Sequence, residues 1–119
     1  LRIGNVLKGE FLAIVSEPKT DFAEDFTIQN YAEAATESLS DRLVNSTEFE
    51  LSEFQLNGMR AFRNQISGSQ GEAKVDYFNT FVEGKAHYHQ IRCWTPSENR
   101  IEAYPVLLKT VNSFHEVPD

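Results

Sequence analysis

Two hydrophobic periods divide the chain, and each predicts a different kind of element. Residues 11–15 are apolar without alternation and Pro18 closes the run, a pattern that predicts a strand covered on both faces. Residues 27–45 instead carry apolar side chains at helical spacing, and Thr27 stands where an N-cap is expected. The helical stripe comprises Ile28, Tyr31, Ala32, Ala35, Leu39 and Leu43. We therefore expect an amphipathic helix after the first strand.

From residue 48 to residue 95 the period changes to two, which is typical of strands with two different faces. Asn57-Gly58 is a strong hairpin signal, because a two-residue type I′ turn needs positive φ at both central positions. Further turns are predicted at residues 68–71 and 83–85. Four antiparallel strands follow, at residues 49–56, 59–67, 73–82 and 86–95.

Both faces of the last predicted hairpin carry substantial apolar surface, so each face needs a covering layer. One cover is the helix at residues 27–45. The other is a tail helix whose main part we expect from about residue 105 to residue 114, because Pro105 disfavours helix at Tyr104. Its apolar positions are Ile101, Tyr104, Leu108 and Val111. The predicted fold is α+β, a three-layer α/β/α sandwich with a mainly antiparallel sheet and one helix on each face.

Composition narrows the class of protein. A chain of 119 residues and 13.6 kDa predicts one domain over residues 1–119. The formal net charge of −7 opposes binding to nucleic acid or to an anionic lipid surface. No run approaches the roughly 18 apolar residues of a membrane-spanning helix. Since an ordered-looking segment starts at Leu1, we expect that an N-terminal segment is missing, where a signal peptide or lipid anchor would fit.

The acidity is local. Between Glu17 and Glu53 there are ten acidic and two basic residues. Glu33, Glu37 and Asp41 recur every four residues opposite the apolar stripe, so like charges repel along one exposed line. This line is a candidate docking surface for a basic protein partner. The alternatives are weak cation binding by the loop at residues 21–25, and a solvated face that only aids solubility.

A second candidate surface lies on the predicted last hairpin. Aromatic rings supply contact area there, while amides and one guanidinium can form directional hydrogen bonds with a ligand or partner. Its members are Tyr77, Asn79, Tyr88, Gln90, Arg92 and Trp94, called the aromatic row below. This row suits a pocket or an interface. The alternative is that the last helix lies over it, with Arg92 reaching out past a ring.

The sequence patterns that would indicate a metal site or a catalytic site are weaker than those for the two candidate surfaces. His87 and His89 point the same way from one strand, a spacing that can present two imidazoles to zinc. A third ligand is missing from the pattern, so burial at a margin of the sheet is the alternative. A nucleophilic thiol needs a basic neighbour and access, whereas Cys93 sits between Ile91 and Thr95 in an apolar strand, which indicates packing. No catalytic constellation is visible, and we predict no enzymatic activity and no cofactor.

The order of elements resembles the PsbP-like superfamily of α/β/α sandwiches. The residues that carry the resemblance are those of the hairpin and of the two following strands, together with the end of the last helix. They are 56–61, 77–82, 88–95 and 111–114. The resemblance covers roughly residues 10 to 115. Members usually begin with a strand pair that has no counterpart before Leu1, so we expect either that this piece is missing from the chain or that the sheet is smaller than the family's.

The resemblance also implies a role. The superfamily includes the PsbP subunit of the oxygen-evolving complex, a Ran-binding import factor, the DcrB lipoprotein and small bacterial secretion chaperones, which share non-enzymatic binding or assembly. We therefore expect a bacterial protein-binding or chaperone module of the envelope or a secretion pathway, with a cytoplasmic chaperone as the alternative location. The alternative function is a periplasmic protein that binds a small molecule or metal at His87 and His89.

Overall fold

The computed structural model describes residues 2–5 and 10–116, with side chains from Leu12 to Glu116. This part of the chain contains seven strands, two α-helices and two 3₁₀ helices of three residues each, Lys19–Asp21 and Ser97–Asn99. The strands are β1 (Arg2–Asn5), β2 (Glu10–Pro18), β3 (Val44–Glu48), β4 (Ser52–Leu56), β5 (Met59–Gln70), β6 (Ala73–Glu83) and β7 (His87–Pro96). The helices are α1 (Ile28–Ser40) and α2 (Arg100–Asn112).

All strands belong to one antiparallel sheet, ordered β1-β2-β7-β6-β5. At the far edge, β3 pairs with the second half of β5 and β4 pairs with its first half. The predicted meander from β4 to β7 is confirmed. Asn57 and Gly58 both adopt positive φ, 50° and 84°, as a type I′ turn requires.

One helix packs on each face of the sheet, so the predicted α/β/α sandwich is confirmed. The core under α1 contains Ile28, Tyr31, Ala32, Leu39, Phe62, Ile66, Phe81 and Tyr88. The core under α2 contains Leu12, Ala61, Val82, Ile91, Cys93, Ala103, Leu107 and Val111. Thr27 caps α1 as predicted, because its hydroxyl accepts from the backbone N–H of Asn30 at 3.1 Å.

The first helix is shorter than the sequence pattern predicts. It ends at Ser40, not near residue 45, and Leu43 is buried from the turn that follows. Asn45 has a φ of 53°, a left-handed conformation that Asn tolerates. Asn45 lies inside β3, where the pairing with β5 shifts register between Val44 and Thr47. The sequence pattern does not predict this strand. Leu43 has the spacing of the apolar helical stripe, although its backbone lies outside the helix. This spacing explains why the sequence pattern predicts a longer helix.

The predicted turn at residues 68–71 is also displaced. The strand β5 continues to Gln70, and the turn lies at Gly71, whose φ is +63°. Gly68 is inside the strand, where an added Cβ would lie 2.9 Å from the Cβ of Leu43. Close approach between the strand and the turn after α1 therefore requires this glycine.

Pro105 does not interrupt the tail helix. The helix runs from Arg100 to Asn112 without a break. Ile101 and Pro105 are both exposed, so the carbonyl of Ile101 that loses its donor at position 105 lies on the water side. The cost of the proline is reduced there, because water can hydrogen-bond to that carbonyl.

The two helices do not cover the sheet symmetrically. Helix α1 packs on β5 and β6, whereas α2 packs on β7 and β2. The prediction that residues 11–15 are covered on both faces is therefore wrong, since Val15 is 47% exposed. Its side chain lies on the α1 face of the sheet, beyond the flank of the helix. This offset leaves an open groove on each flank of α1.

Candidate functional site

The first groove lies between α1 and the chain that connects β3 to β4. It is open to solvent, with a volume of about 630 Å³. Four carboxylates line it together with an aromatic, an aliphatic and two polar side chains. These residues are Glu33, Thr36, Glu37, Glu48, Phe49, Glu50, Leu51 and Asn64. We call this cleft the acidic groove.

Two different local structures supply its carboxylates. Glu33 and Glu37 are one helical turn apart on the exposed flank of α1. Glu48 ends β3, and Glu50 lies in the break before β4. The backbone N–H of Phe49 donates to the carbonyl of Gln65 at 2.9 Å, which holds this break against β5.

Phe49 stands among the carboxylates with 53% of its surface exposed. The hydrophobic pattern places this residue at the start of a predicted strand. Instead it lies between two strands, and its ring stays outside the core. The sequence signal that could have identified it is an aromatic residue directly between Glu48 and Glu50, a poor pattern for a buried strand end.

No ion pair within residues 12–116 neutralises the glutamates of the acidic groove. Among residues 12–116, the ion pairs join other carboxylates to cations. They are Glu83–Lys19, Glu53–Arg60, Glu116–His89 and Asp76–Arg100. The groove therefore concentrates negative charge around an apolar centre. Asp41, the third member of the predicted acidic line, is exposed at the end of α1 but does not line this groove.

The aromatic row lies on the face that α1 covers. The alternative that the last helix lies over it is wrong, because odd-numbered residues of β6 and even-numbered residues of β7 point to α1. Tyr77 is buried and its ring lies 6.1 Å from that of Trp94. Tyr88 is buried too, and its hydroxyl donates to the carbonyl of Phe26 at 2.8 Å. These three rings pack mainly inside the protein.

Asn79 belongs to a buried polar chain under α1. Its amide nitrogen donates to Asn64 Oδ1 at 3.2 Å, and Asn64 donates in turn to the hydroxyl of Thr36 at 2.9 Å. All three residues are buried, and Asn79 Oδ1 has no hydrogen-bond partner within the described chain. This chain ties the helix to the sheet at the floor of the acidic groove.

Gln90 and Arg92 line a second groove, on the opposite flank of α1. Its volume is about 290 Å³, and the other lining residues are Glu17, Phe22, Phe26, Tyr31, Ala34, Ala35 and Ser38. With its amide oxygen facing the guanidinium, Gln90 accepts from Arg92 Nε at 3.3 Å and Nη2 at 2.8 Å. We call this cleft the arginine groove. Of the aromatic row, only these two residues reach it.

The two predicted metal ligands differ in environment. His89 is buried, with Nδ1 2.7 Å from Ser16 Oγ and Nε2 2.8 Å from Glu116 Oε2. His87 is half-buried, with its ring centroid 6.1 Å from that of His89. No cluster of three or more metal-ligating side chains occurs in the part of the chain that is described. Both nitrogens of His89 are used within the protein, which indicates a structural role.

Cys93 is fully buried in the core under α2. Burial raises the pKa of its thiol to about 12, because the thiolate would be poorly solvated there. The thiol is therefore a packing group in the folded protein. This agrees with the apolar surroundings that the sequence indicates.

Comparison with solved structures shows the type of fold. The chain is similar to PA94 of Pseudomonas aeruginosa, a protein of unknown function suggested to be a regulator. The TM-score is 0.76 with 11% identity, over 92% of this chain and 74% of that one. It is also similar to cyanobacterial PsbP (CyanoP) of Synechocystis sp. PCC 6803, with a TM-score of 0.67 and 8% identity, over 98% and 92%. The fold is PsbP-like.

The PsbP-like fold confirms the resemblance that residues 56–61, 77–82, 88–95 and 111–114 carry in the sequence. At these identities the likeness concerns architecture alone. No protein-family model and no curated protein matches the sequence. Neither helix of the described residues has the length and apolar content needed to cross a lipid bilayer.

Proposed function

We propose that this PsbP-like protein is a non-catalytic binding module that docks a basic segment of a partner protein in the acidic groove. The observation that carries the proposal is the position of exposed Phe49 among four glutamates that have no ion pair with residues 12–116. Lysine or arginine side chains of the partner would meet the carboxylates, and an apolar side chain would pack on the ring.

Local structure supports a preformed docking surface. The carboxylates of Glu33 and Glu37 project from a capped helix. The backbone of Phe49 is held in place because its N–H is hydrogen-bonded to β5. Binding would therefore order little additional chain, which lowers its entropic cost. Accumulated like charge also raises the association rate of a cationic partner, and salt screens this effect.

We propose the bacterial envelope or a secretion pathway as the setting, with a cytoplasmic chaperone as the alternative. This setting is the one that the sequence resemblance to the PsbP-like superfamily implies. Fractionation of cells that produce the complete gene product tests it. Recovery from the periplasm or membrane fraction would support the envelope, and recovery from the cytosol would favour the chaperone alternative. The alternative site at His87 and His89 has no comparable support, because His89 is engaged by Ser16 and Glu116.

The docking proposal is tested with a synthetic peptide that has lysines at both ends and a leucine-tryptophan pair in the middle. A second peptide with glutamine in place of each lysine controls for apolar binding. Fluorescence titration of the whole chain measures both affinities. We expect binding of the lysine peptide alone, weakening as the salt concentration rises.

Charge reversal then locates the binding surface. The double variant Glu33→Lys/Glu37→Lys should weaken binding about tenfold or more, because two attractive charges become repulsive. Glu98→Lys/Glu102→Lys is the matched control, since both residues are exposed and lie near the start of α2. Phe49→Ser tests the apolar contact with the carboxylates intact. Equal binding by the two double variants, or no binding of the lysine peptide, would overturn the proposal.

A further inference from the structure

We infer that the arginine groove is a second, independent binding site, which takes a monocarboxylate that carries an apolar or aromatic group. The inference rests on Arg92, on the amide that orients it, and on the aromatic wall beside it. It does not depend on the acidic groove, because the two clefts lie on opposite flanks of α1 and share no lining residue.

The guanidinium of Arg92 has no carboxylate within 4.0 Å among residues 12–116. The side chain is half-buried. Burial lowers its pKa, and the positive charge of Arg42 adds to that effect. A partly desolvated cation without a counter-charge is costly in a folded protein. It is also unexpected in a chain with 18 acidic residues, so a negative ligand is the missing partner.

Gln90 holds the guanidinium in one orientation. With the Gln90 amide oriented so that its oxygen faces the guanidinium, this oxygen accepts from Nε and Nη2 of Arg92, and Gln90 is buried with 7% exposed. This contact occupies one side of the planar group. The end formed by Nη1 and Nη2 is left for a ligand, and its two parallel N–H bonds match the two oxygens of a carboxylate. The receptor is thus oriented before the ligand arrives.

The opposite end of the groove is aromatic. The rings of Phe22 and Phe26 stack with centroids 4.8 Å apart, and Tyr31 meets Phe22 edge to face at 5.8 Å. On α1, the small side chains of Ala34 and Ala35 line the groove and leave space between the helix and β7. The aromatic end of the groove suits the apolar or aromatic part of a ligand.

Glu17 limits the charge that the groove accepts. Its Oε1 accepts from the hydroxyl of Tyr31 at 3.0 Å, which keeps a carboxylate at the aromatic end. Repulsion from Glu17 directs the acid group of the ligand to Arg92. It also disfavours a ligand with two negative charges, so a monocarboxylate is preferred to phosphate.

The site is tested by two-dimensional amide NMR titration of the whole chain. The probes are N-acetylphenylalanine, its uncharged amide and inorganic phosphate. A short peptide that ends in phenylalanine, with a free or an amidated C-terminus, distinguishes a small molecule from a peptide end as the source of the carboxylate. We expect each free carboxylate to bind at least about tenfold more tightly than its amide. Shifts should centre on Gln90, Arg92 and Ala35.

Two variants that alter the groove and one control variant keep the test decisive. Arg92→Gln should lower carboxylate affinity about tenfold or more, while Arg63→Gln, an exposed arginine on the other face of the sheet, should leave it unchanged. Ser38→Trp fills the groove from the exposed surface of α1 and should abolish binding without touching the core. Equal binding of acid and amide, preference for phosphate, or undiminished binding by Arg92→Gln or Ser38→Trp would overturn the assignment.

Discussion

The imidazole Nε2 of His89 lies 2.8 Å from Oε2 of Glu116, and this contact joins β7 to the segment after α2. The other carboxylate oxygen of Glu116 accepts from the backbone N–H of Lys85 at 3.0 Å. Gly84 makes the approach feasible, because a Cβ at that position would collide with Glu116 and lie 2.7 Å from His89 Nε2. Two residues far apart in sequence thus hold the tail on the sheet.

Acidification should release this tail contact. Two hydrogen bonds lower the pKa of Glu116 below its ordinary value. The one from His89 has the larger effect, and the one from the backbone of Lys85 has the smaller effect. A carboxyl whose pKa is lower in the folded state stabilises the fold at pH values above the unfolded pKa, which is about 4.3. That contribution is lost as pH falls through the folded value. We expect Glu116→Gln to cost on the order of 1 kcal/mol at neutral pH, because the carboxylate is partly exposed.

Urea denaturation of both proteins from pH 7 to about pH 3 measures this difference. It should stay constant down to about pH 5 and then shrink. Glu98→Gln is the control, since that exposed carboxylate has no ion pair with residues 12–116. A Glu116→Gln deficit that is unchanged at the acid end would contradict the assigned role.

The buried polar chain should be sensitive to loss of a single hydroxyl. Thr36→Val keeps the shape of the side chain but leaves the Asn64 amide nitrogen without its acceptor. An unsatisfied buried donor costs about 1–3 kcal/mol. The free energy of unfolding measured in urea should fall by that amount, while Thr20→Val at an exposed position should change it little. Equal stability of the two variants would show that water replaces the lost contact.

Gly68 should resist substitution although it lies in a strand. In Gly68→Ala the new Cβ would lie 2.9 Å from Leu43 Cβ and 3.3 Å from Ser46 Cα. Overpacking of this kind costs about 1–3 kcal/mol. The midpoint of thermal unfolding should drop, whereas Ser69→Ala on the same strand should have a small effect. Wild-type stability in Gly68→Ala would mean that the turn after α1 moves away freely.

The thiol of Cys93 should react only after unfolding. It is fully buried, and its pKa is raised to about 12, so little thiolate exists at neutral pH. A coloured disulfide reagent should leave the native protein unmodified over hours and label it rapidly in concentrated urea. Fast labelling of the folded protein would contradict this burial and point to local opening of the core under α2.

The local elements were readable from the chain itself. The period of 3.6 residues identifies α1, and the Asn57-Gly58 pair identifies a hairpin, because both signals depend on neighbours in sequence. For the same reason Glu33 and Glu37 could be assigned to an exposed line opposite the apolar stripe. These predictions need only the geometry of a helix or a strand.

Tertiary structure decided which distant segments meet. Leu43 fits the helical period, yet it packs against Gly68 from the turn after α1, which has already ended at Ser40. The acidic groove forms only because the break at Phe49 lies beside the flank of the helix. Likewise, the cover of the aromatic row depends on which face each helix crosses. The periodicity of the sequence indicates which face of its own helix or strand a side chain lies on. Packing between elements depends on complementarity between segments that are distant in sequence, and no local pattern contains that information.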